Sequence, residues 1–187
     1  MIDDDPVRSG LVAAADRLFY ARGVQAVGMD AVRSEAGVSL KRMYNLFPSK
    51  DDLVVAVLAH RSRIWDDGIA AAAEGLTEPQ DRILAIFDFL ADWFTQSDFR
   101  GCAFINVYGE LGPNSSKAAA AVERQKRAFA DYVAALVREA DLPADLAPQI
   151  VLLAEGAQTT AAILDDPAAA GQGRRAAETL LGAAAAA

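Results

Sequence analysis

Apolar residues recur at intervals of three and four along most of the chain, and no stretch alternates apolar and polar residues as a half-buried strand does. Alanine is abundant throughout. This pattern predicts an all-α fold of about nine helices. The predicted helices cover approximately residues 7–22, 30–36, 40–47, 49–73, 78–96, 102–111, 116–140, 148–164 and 174–185.

Local signals predict where several helices begin and end. Ser49 can cap the fourth helix, with Asp52 at the capping-box position, and Thr77 begins a second capping-box pattern before the fifth helix. Gly23 occupies the place of a left-handed C-cap, and Gly37 allows the positive φ of a sharp turn. The second and third helices are too close together to be independent, so we expect them to form one helix-turn-helix motif.

This predicted motif has an apolar and a polar side. Val32 packs inside from the second helix, Val38 fills the angle between the helices, and Met43 anchors the third helix together with Leu46. The residues left pointing outward are Ser39, Lys41, Arg42 and Asn45. Guanidinium, amide and hydroxyl groups on a helix suit the major groove, where cations contact phosphates and amides and guanidinium groups read base edges.

The charge distribution supports this interpretation, although the net charge of −8 by itself argues against nucleic acid. Residues 8–50 carry seven basic and three acidic side chains, whereas residues 51–187 carry eleven basic and twenty acidic ones. The positive charge is therefore concentrated around the motif, as expected for a segment that faces nucleic acid.

The segment resembles the TetR family of repressors. The resemblance is carried by the Ala36-Gly37-Val38-Ser39 turn, by Tyr44 with Phe47, and by the Ser49-Lys50-Asp51-Asp52-Leu53 helix start. Leu18-Phe19 and Gly23 match the family's upstream helix, so the match covers about residues 10–58. The remainder is similar in length and helical character. The resemblance implies a helix-turn-helix domain over residues 1–50 and a helical ligand-binding and dimerisation domain over residues 51–187.

The resemblance also implies which residues contact DNA. Tyr44 matches a phosphate-contacting tyrosine, and Lys50 matches the lysine that approaches the DNA backbone. Three positions depart from the family pattern: Gly28 replaces a usual Thr, Arg33 replaces a usual Ala, and Asn45 replaces a common His. The predicted DNA-binding residues are Arg33, Ser39, Leu40, Lys41, Arg42, Tyr44, Asn45 and Lys50.

A ligand pocket and a dimer interface are implied for the larger domain. The predicted pocket residues are Trp65, Phe87, Trp93, Phe94, Phe104, Tyr108 and Glu110, although these aromatics could also be ordinary core. Asn106, Gln125 and Gln158 are further polar groups on apolar faces, where burial would require partners. The predicted dimer residues are Leu152, Leu153, Gly156, Ala157, Thr160 and Leu164, for which an intrachain contact is the alternative.

The sequence thus predicts a cytoplasmic, ligand-responsive repressor that binds operator DNA as a homodimer, with a small-molecule inducer, no cofactor, no metal and no membrane partner. The single His60 argues against a metal cluster or a catalytic site. Cys102 is expected to pack as a small hydrophobe, with redox sensing as an alternative. A helical ligand-binding protein that does not contact DNA remains open, and an enzyme is the least favoured class.

Overall fold

The structure, a computed structural model, describes residues 5–186, and every regular element within them is an α-helix. This confirms the all-α prediction, and the described residues form the expected number of helices. They are α1 (Pro6–Arg22), α2 (Met29–Glu35), α3 (Leu40–Leu46), α4 (Lys50–Ala72), α5 (Pro79–Phe94), α6 (Ala103–Leu111), α7 (Ser116–Glu139), α8 (Leu146–Leu164) and α9 (Ala168–Ala185).

Most of the predicted helix-end signals are confirmed. The Ser49 hydroxyl oxygen accepts the Asp52 N–H at 3.2 Å, and the hydroxyl donates to Asp52 Oδ2 at 2.6 Å. Gly23 and Gly37 have φ values of +85° and +67°, which residues with a side chain adopt only at a cost. Gly37 therefore has the predicted positive φ, whereas Gly23, with a ψ of 149°, ends α1 with a positive φ but not in the predicted left-handed helical conformation.

Two predicted helix starts are wrong. α5 is capped at Glu78 with no side-chain hydrogen bond, and Pro79 takes the first helical position, so the Thr77 capping box does not form. A proline at that position is favourable because its φ suits a helix and the missing N–H has no partner there. α9 starts at Ala168, earlier than predicted, because the alanines that follow Pro167 extend the helix toward its N-terminus.

The chain packs into two compact units. The first unit consists of residues up to Arg63 together with Ala103–Arg124, and the second consists of Ile64–Cys102 together with the residues from Gln125 onward. The division into packing units does not coincide with the predicted boundary between the DNA-binding and ligand-binding domains at residue 50. That functional boundary stays a prediction. Residues 1–4 and 187 of the two predicted domains lie outside the described residues.

The second unit has a continuous apolar core formed by α5, α7, α8, α9 and the end of α4. α5 and α9 approach closely at Gly173, where an added Cβ would lie 2.9 Å from the ring of the fully buried Phe87. A glycine is therefore needed at this contact. Among the described helices, none combines the length and the apolar character that crossing a membrane requires.

Candidate DNA-binding surface and ligand cavity

The helix-turn-helix motif is held together by a small apolar core in the first unit. Val32 of α2 and Met43 of α3 are fully buried, as is Phe47, which follows α3. The Val38 N–H donates to the Arg33 carbonyl across the turn at 3.0 Å, and the Ser39 hydroxyl caps α3 by accepting the Arg42 N–H at 3.2 Å. These contacts fix the orientation of α3.

The predicted reading face of α3 is exposed. Because Met43 points into the core, the neighbouring side chains of this short helix point outward. They carry cationic, amide, hydroxyl and apolar groups, the set that contacts phosphates, base edges and thymine methyl groups. The exposed residues are Ser39, Leu40, Lys41, Arg42, Tyr44 and Asn45.

Both predicted DNA-contacting arginines have acidic partners. Arg42 Nη2 lies 2.5 Å from Asp5 Oδ2, and Arg33 Nε lies 2.7 Å from Asp30 Oδ1. Ion pairs on the surface contribute only about 0–1 kcal/mol, because water screens them. DNA phosphates can therefore replace either carboxylate at small cost.

Lys50 lies differently from the α3 residues. It is half-buried at the start of α4, with Nζ 5.9 Å from the centroid of the Phe19 ring. Burial lowers the pKa of Lys50, while the negative charges of Glu110 and Asp51 oppose that shift and favour the ammonium form. Its side chain thus lies along the protein surface, and its predicted role at the DNA backbone stays a prediction.

Glu110, predicted as a pocket residue, connects the end of α6 to the segment between α1 and α2. Its carboxylate accepts the N–H groups of Val24 at 3.1 Å and Gln25 at 2.7 Å, and its carbonyl accepts Gln25 Nε2 at 2.6 Å. Glu110 also lines a cleft of about 420 Å³ formed by residues of α1, α4 and α6. This carboxylate is therefore engaged within the first unit.

The seven predicted pocket residues are divided between the units. Phe104 is buried and Tyr108 is exposed in the first unit, which also holds Glu110. Phe87 and Phe94 are buried in the core of the second unit. Trp65 and Trp93 belong to an aromatic cluster of the second unit, with ring centroids 6.0 Å apart.

A cavity of about 400 Å³ in the second unit contains Trp65 but was otherwise not foreseen. Its other α4 residues lie one, four and five positions from Trp65, on adjacent faces of that helix, and Ala73 directly follows the helix. This spacing is a signal that sequence reasoning could have used; the residues from α5 and α7 carry no such signal. The lining is Trp65, Asp66, Ile69, Ala70, Ala73, Arg82, Ala128, Phe129 and Tyr132.

α8 carries an exposed stripe and a buried side. Leu152 and Leu164 are 72% and 68% exposed, and Gly156 and Thr160 between them are also exposed. These residues follow one another at intervals of four, so they share one face of the helix. The other side of α8 is turned inward: Ala157 and Gln158 are buried, Leu153 is half-buried, and Gln158 Oε1 has no hydrogen-bond partner within residues 5–186.

Cys102 is buried, as the packing prediction expected. Its Sγ lies 3.3 Å from Lys126 Nζ, which also lies 2.8 Å from both carboxylate oxygens of Glu155. His60 is half-buried on α4. No group of three or more metal-ligating side chains comes together in the part of the chain that the structure describes.

Solved structures of high similarity extend over almost the whole chain. The TetR-family transcriptional regulator SCO4454 from Streptomyces coelicolor is 28% identical, covers 95% of each chain and has a TM-score of 0.85. A TetR transcriptional regulator, sav143, from Streptomyces avermitilis is 32% identical over 96% of this chain and 98% of its own, with a TM-score of 0.83.

Curated relatives match a shorter part. The HTH-type transcriptional activator FasR of Mycolicibacterium smegmatis is 34% identical over 101 residues, which are 54% of this chain and 46% of FasR. The HTH-type transcriptional regulator BetI of Rhizobium meliloti is 33% identical over 110 residues, which are 57% of this chain and 53% of BetI. The matched part is thus about half the length of these relatives.

Two family models match consecutive parts of the chain. The model for bacterial regulatory proteins of the tetR family matches residues 11–57, which contain the helix-turn-helix motif. The model for the tetracyclin repressor-like C-terminal domain matches residues 79–177, more than half of the chain. The chain therefore belongs to the TetR family of bacterial transcriptional regulators.

Proposed function

We propose that this protein is a cytoplasmic repressor that binds a pseudo-palindromic operator as a homodimer and is released by a small molecule. The observation that carries the proposal is the exposed face of α3 and its Ser39 cap, where five polar side chains surround one fully buried anchor, Met43. In a two-fold dimer, two such helices would enter successive major grooves about 34 Å apart. We place the boundary between the DNA-binding domain and the ligand-binding and dimerisation domain at residue 50.

The exposed stripe of α8 supports the dimer. Leu152 and Leu164 are large apolar residues that the single chain leaves in contact with water. Gly156 and Thr160 between them are small, so the helix of a second copy can approach closely. Covering such a stripe with the same stripe of a partner is the arrangement that a two-fold axis provides.

The cavity in the second unit supports ligand-dependent release. A small molecule that binds better to a conformation with the wrong spacing of recognition helices shifts the dimer toward that conformation. Operator DNA must then weaken the binding of that molecule by the same factor. The effect of the ligand on operator affinity and the effect of the operator on ligand affinity thus measure the same coupling free energy.

The test is selection of bound fragments from random duplex DNA, followed by binding assays over a series of salt concentrations. We expect a pseudo-palindromic consensus and a complex that contains two protein chains. If no duplex is enriched, the protein does not bind DNA specifically, and the alternative of a helical ligand-binding protein is favoured. If a consensus is enriched but the complex contains one chain, the dimer part of the proposal is wrong.

Substitutions on the selected operator assign the contacts. Lys50→Ala is expected to weaken binding to all sequences and to reduce the salt slope by about one, as the loss of one phosphate contact does. Arg42→Ala is expected to alter base preference as well. The control is Arg175→Ala, which removes an exposed positive charge from α9. An unchanged salt slope in Lys50→Ala would show that Lys50 does not contact phosphate.

A further inference from the structure

The cavity of the second unit has the size and lining of a small-molecule site. Its volume of about 400 Å³ lies within the range of ligand pockets, about 300–1,000 Å³. Its walls come from α4, α5 and α7 and include three aromatic rings, those of Trp65, Phe129 and Tyr132. The cavity can therefore accommodate an apolar molecule of moderate size.

The aromatic wall is held in place by neighbouring rings. Trp65 contacts Phe89, Trp93 and Phe129 edge to face, with centroid distances of 5.4, 6.0 and 5.2 Å. Such contacts fix the Trp65 ring before any ligand binds. Because the faces of aromatic rings carry partial negative charge, they attract cations in a desolvated site.

The charged groups of the cavity do not balance. Arg82 is neutralised by Glu139, with Nη1 3.0 Å from Oε2. Asp66 has no hydrogen-bond or ion-pair partner within residues 5–186, and its neighbour Asp67 adds a second negative charge. The lining therefore has an uncompensated carboxylate beside aromatic rings.

The protonation behaviour of Asp66 agrees with this geometry. Burial raises the pKa of Asp66, and the charge of Asp67 raises it further. Asp66 is nevertheless an exposed residue, so water hydrates much of its carboxylate, and a bound cation would favour the ionised form.

We propose that this cavity binds a lipophilic organic cation, with the Asp66 carboxylate as its counter-ion and the rings of Trp65, Phe129 and Tyr132 as its apolar surface. The proposal rests on the proposed function, in which a small molecule controls release from DNA. An organic anion of the same size would meet the unpaired carboxylate and would have to replace Glu139 at Arg82, so it should bind less tightly than the cation. A neutral molecule of the same size would gain nothing from that carboxylate, so the charge of the ligand contributes to selectivity.

Tetraphenylphosphonium and tetraphenylborate test the proposal, because they have nearly the same size and shape and opposite charge. Binding is measured by calorimetry and by quenching of tryptophan fluorescence, since both tryptophans of the chain belong to the aromatic cluster. We expect tetraphenylphosphonium to bind at least about tenfold more tightly than tetraphenylborate. Equal affinities, or no binding of the cation, overturn the proposal.

Substitutions locate the counter-ion. Asp66→Asn is expected to weaken tetraphenylphosphonium binding by about tenfold, and Asp66→Glu, which keeps the charge, to retain most of it. The matched control Asp67→Asn removes an adjacent charge that does not line the cavity, and we expect a change within about twofold. If Asp66→Asn and Asp67→Asn have the same affinity, Asp66 is not the counter-ion. Because Asp66 is exposed and makes no ion pair within residues 5–186, Asp66→Asn should fold about as stably as the parent.

The operator-binding assay on the same samples separates this inference from the proposed function. If tetraphenylphosphonium binds with the expected dependence on Asp66, the ligand class is supported, whether or not the cation releases DNA. If operator DNA binds normally and the cation does not, the ligand class is wrong and the DNA-binding function stands.

Discussion

The ion pair between α1 and α4 gives the sharpest prediction about the stability of the first unit. Arg61 Nε lies 2.5 Å from Asp16 Oδ1, and the two side chains are only 14% and 12% exposed. The Arg61 guanidinium also lies 4.0 Å from the centroid of the Tyr20 ring, which adds a cation–π contact. Arg61→Ala removes both interactions and leaves the Asp16 carboxylate buried without its partner.

Breaking a buried pair in this way costs about 3–5 kcal/mol, because the remaining charge is neither hydrated nor compensated. The neighbouring Arg17 provides a control, since its Nη2 lies 3.0 Å from Glu35 Oε1 with side chains 62% and 44% exposed. Water screens an exposed pair, so Arg17→Ala should cost about 0–1 kcal/mol. The expected difference is a large share of the stability of a typical domain, about 5–15 kcal/mol.

The free energy of unfolding is measured by urea denaturation, followed by far-ultraviolet circular dichroism, for the parent and both variants. A second comparison uses Asp16→Asn combined with Arg61→Ala, which removes the uncompensated charge and should recover part of the loss. The reasoning is refuted if Arg61→Ala is no less stable than Arg17→Ala. It also fails if the double variant is as unstable as Arg61→Ala, because the buried charge is then not the cause.

Three further predictions concern packing and pH. Gly10→Ala should stabilise the protein by about 0.5–1 kcal/mol, because a Cβ there meets no atom within 4 Å and alanine favours the interior of α1. Gly173→Ala should destabilise it by about 1–3 kcal/mol through the clash with Phe87. Equal melting temperatures for the Gly10→Ala and Gly173→Ala variants would contradict this pair of predictions. Hydrogen bonds from Lys117 and Ser49 lower the pKa of Asp52 in the folded protein. The ionised Asp52 carboxylate therefore stabilises the fold at a pH above the ordinary pKa of an aspartate, and this stabilisation is lost as the pH falls through the lowered pKa. The difference in melting temperature between the parent and Asp52→Asn should therefore shrink on acidification, and a constant difference would show that ionisation of Asp52 is not involved.

The sequence by itself determined the class of fold and the DNA-facing motif, because both depend on neighbours a few residues apart. A helix repeats every 3.6 residues, so apolar spacing predicts the helices and the side that each buries. The Ser49 cap and the turns at Gly23 and Gly37 depend only on adjacent backbone groups. Met43 as anchor and the exposed positions around it follow from the same local geometry.

Helix-start errors have a local cause too. The Thr77 pattern satisfied a capping rule, but Pro79 two residues later favoured a start at Glu78. Where two local signals compete, as here, one capping rule taken alone does not predict the helix start.

Only the tertiary structure decided which distant residues meet. Glu110 accepts hydrogen bonds from Val24 and Gln25, which lie 86 and 85 residues earlier in the chain. Arg61 pairs with Asp16, from which it is separated by 45 residues. It also assigned the predicted pocket residues to two packing units and left Asp66 unpaired in a cavity with aromatic walls. The physical reason is that such contacts depend on the angles and registers at which whole helices pack, and many small apolar contacts spread along the chain set those angles together.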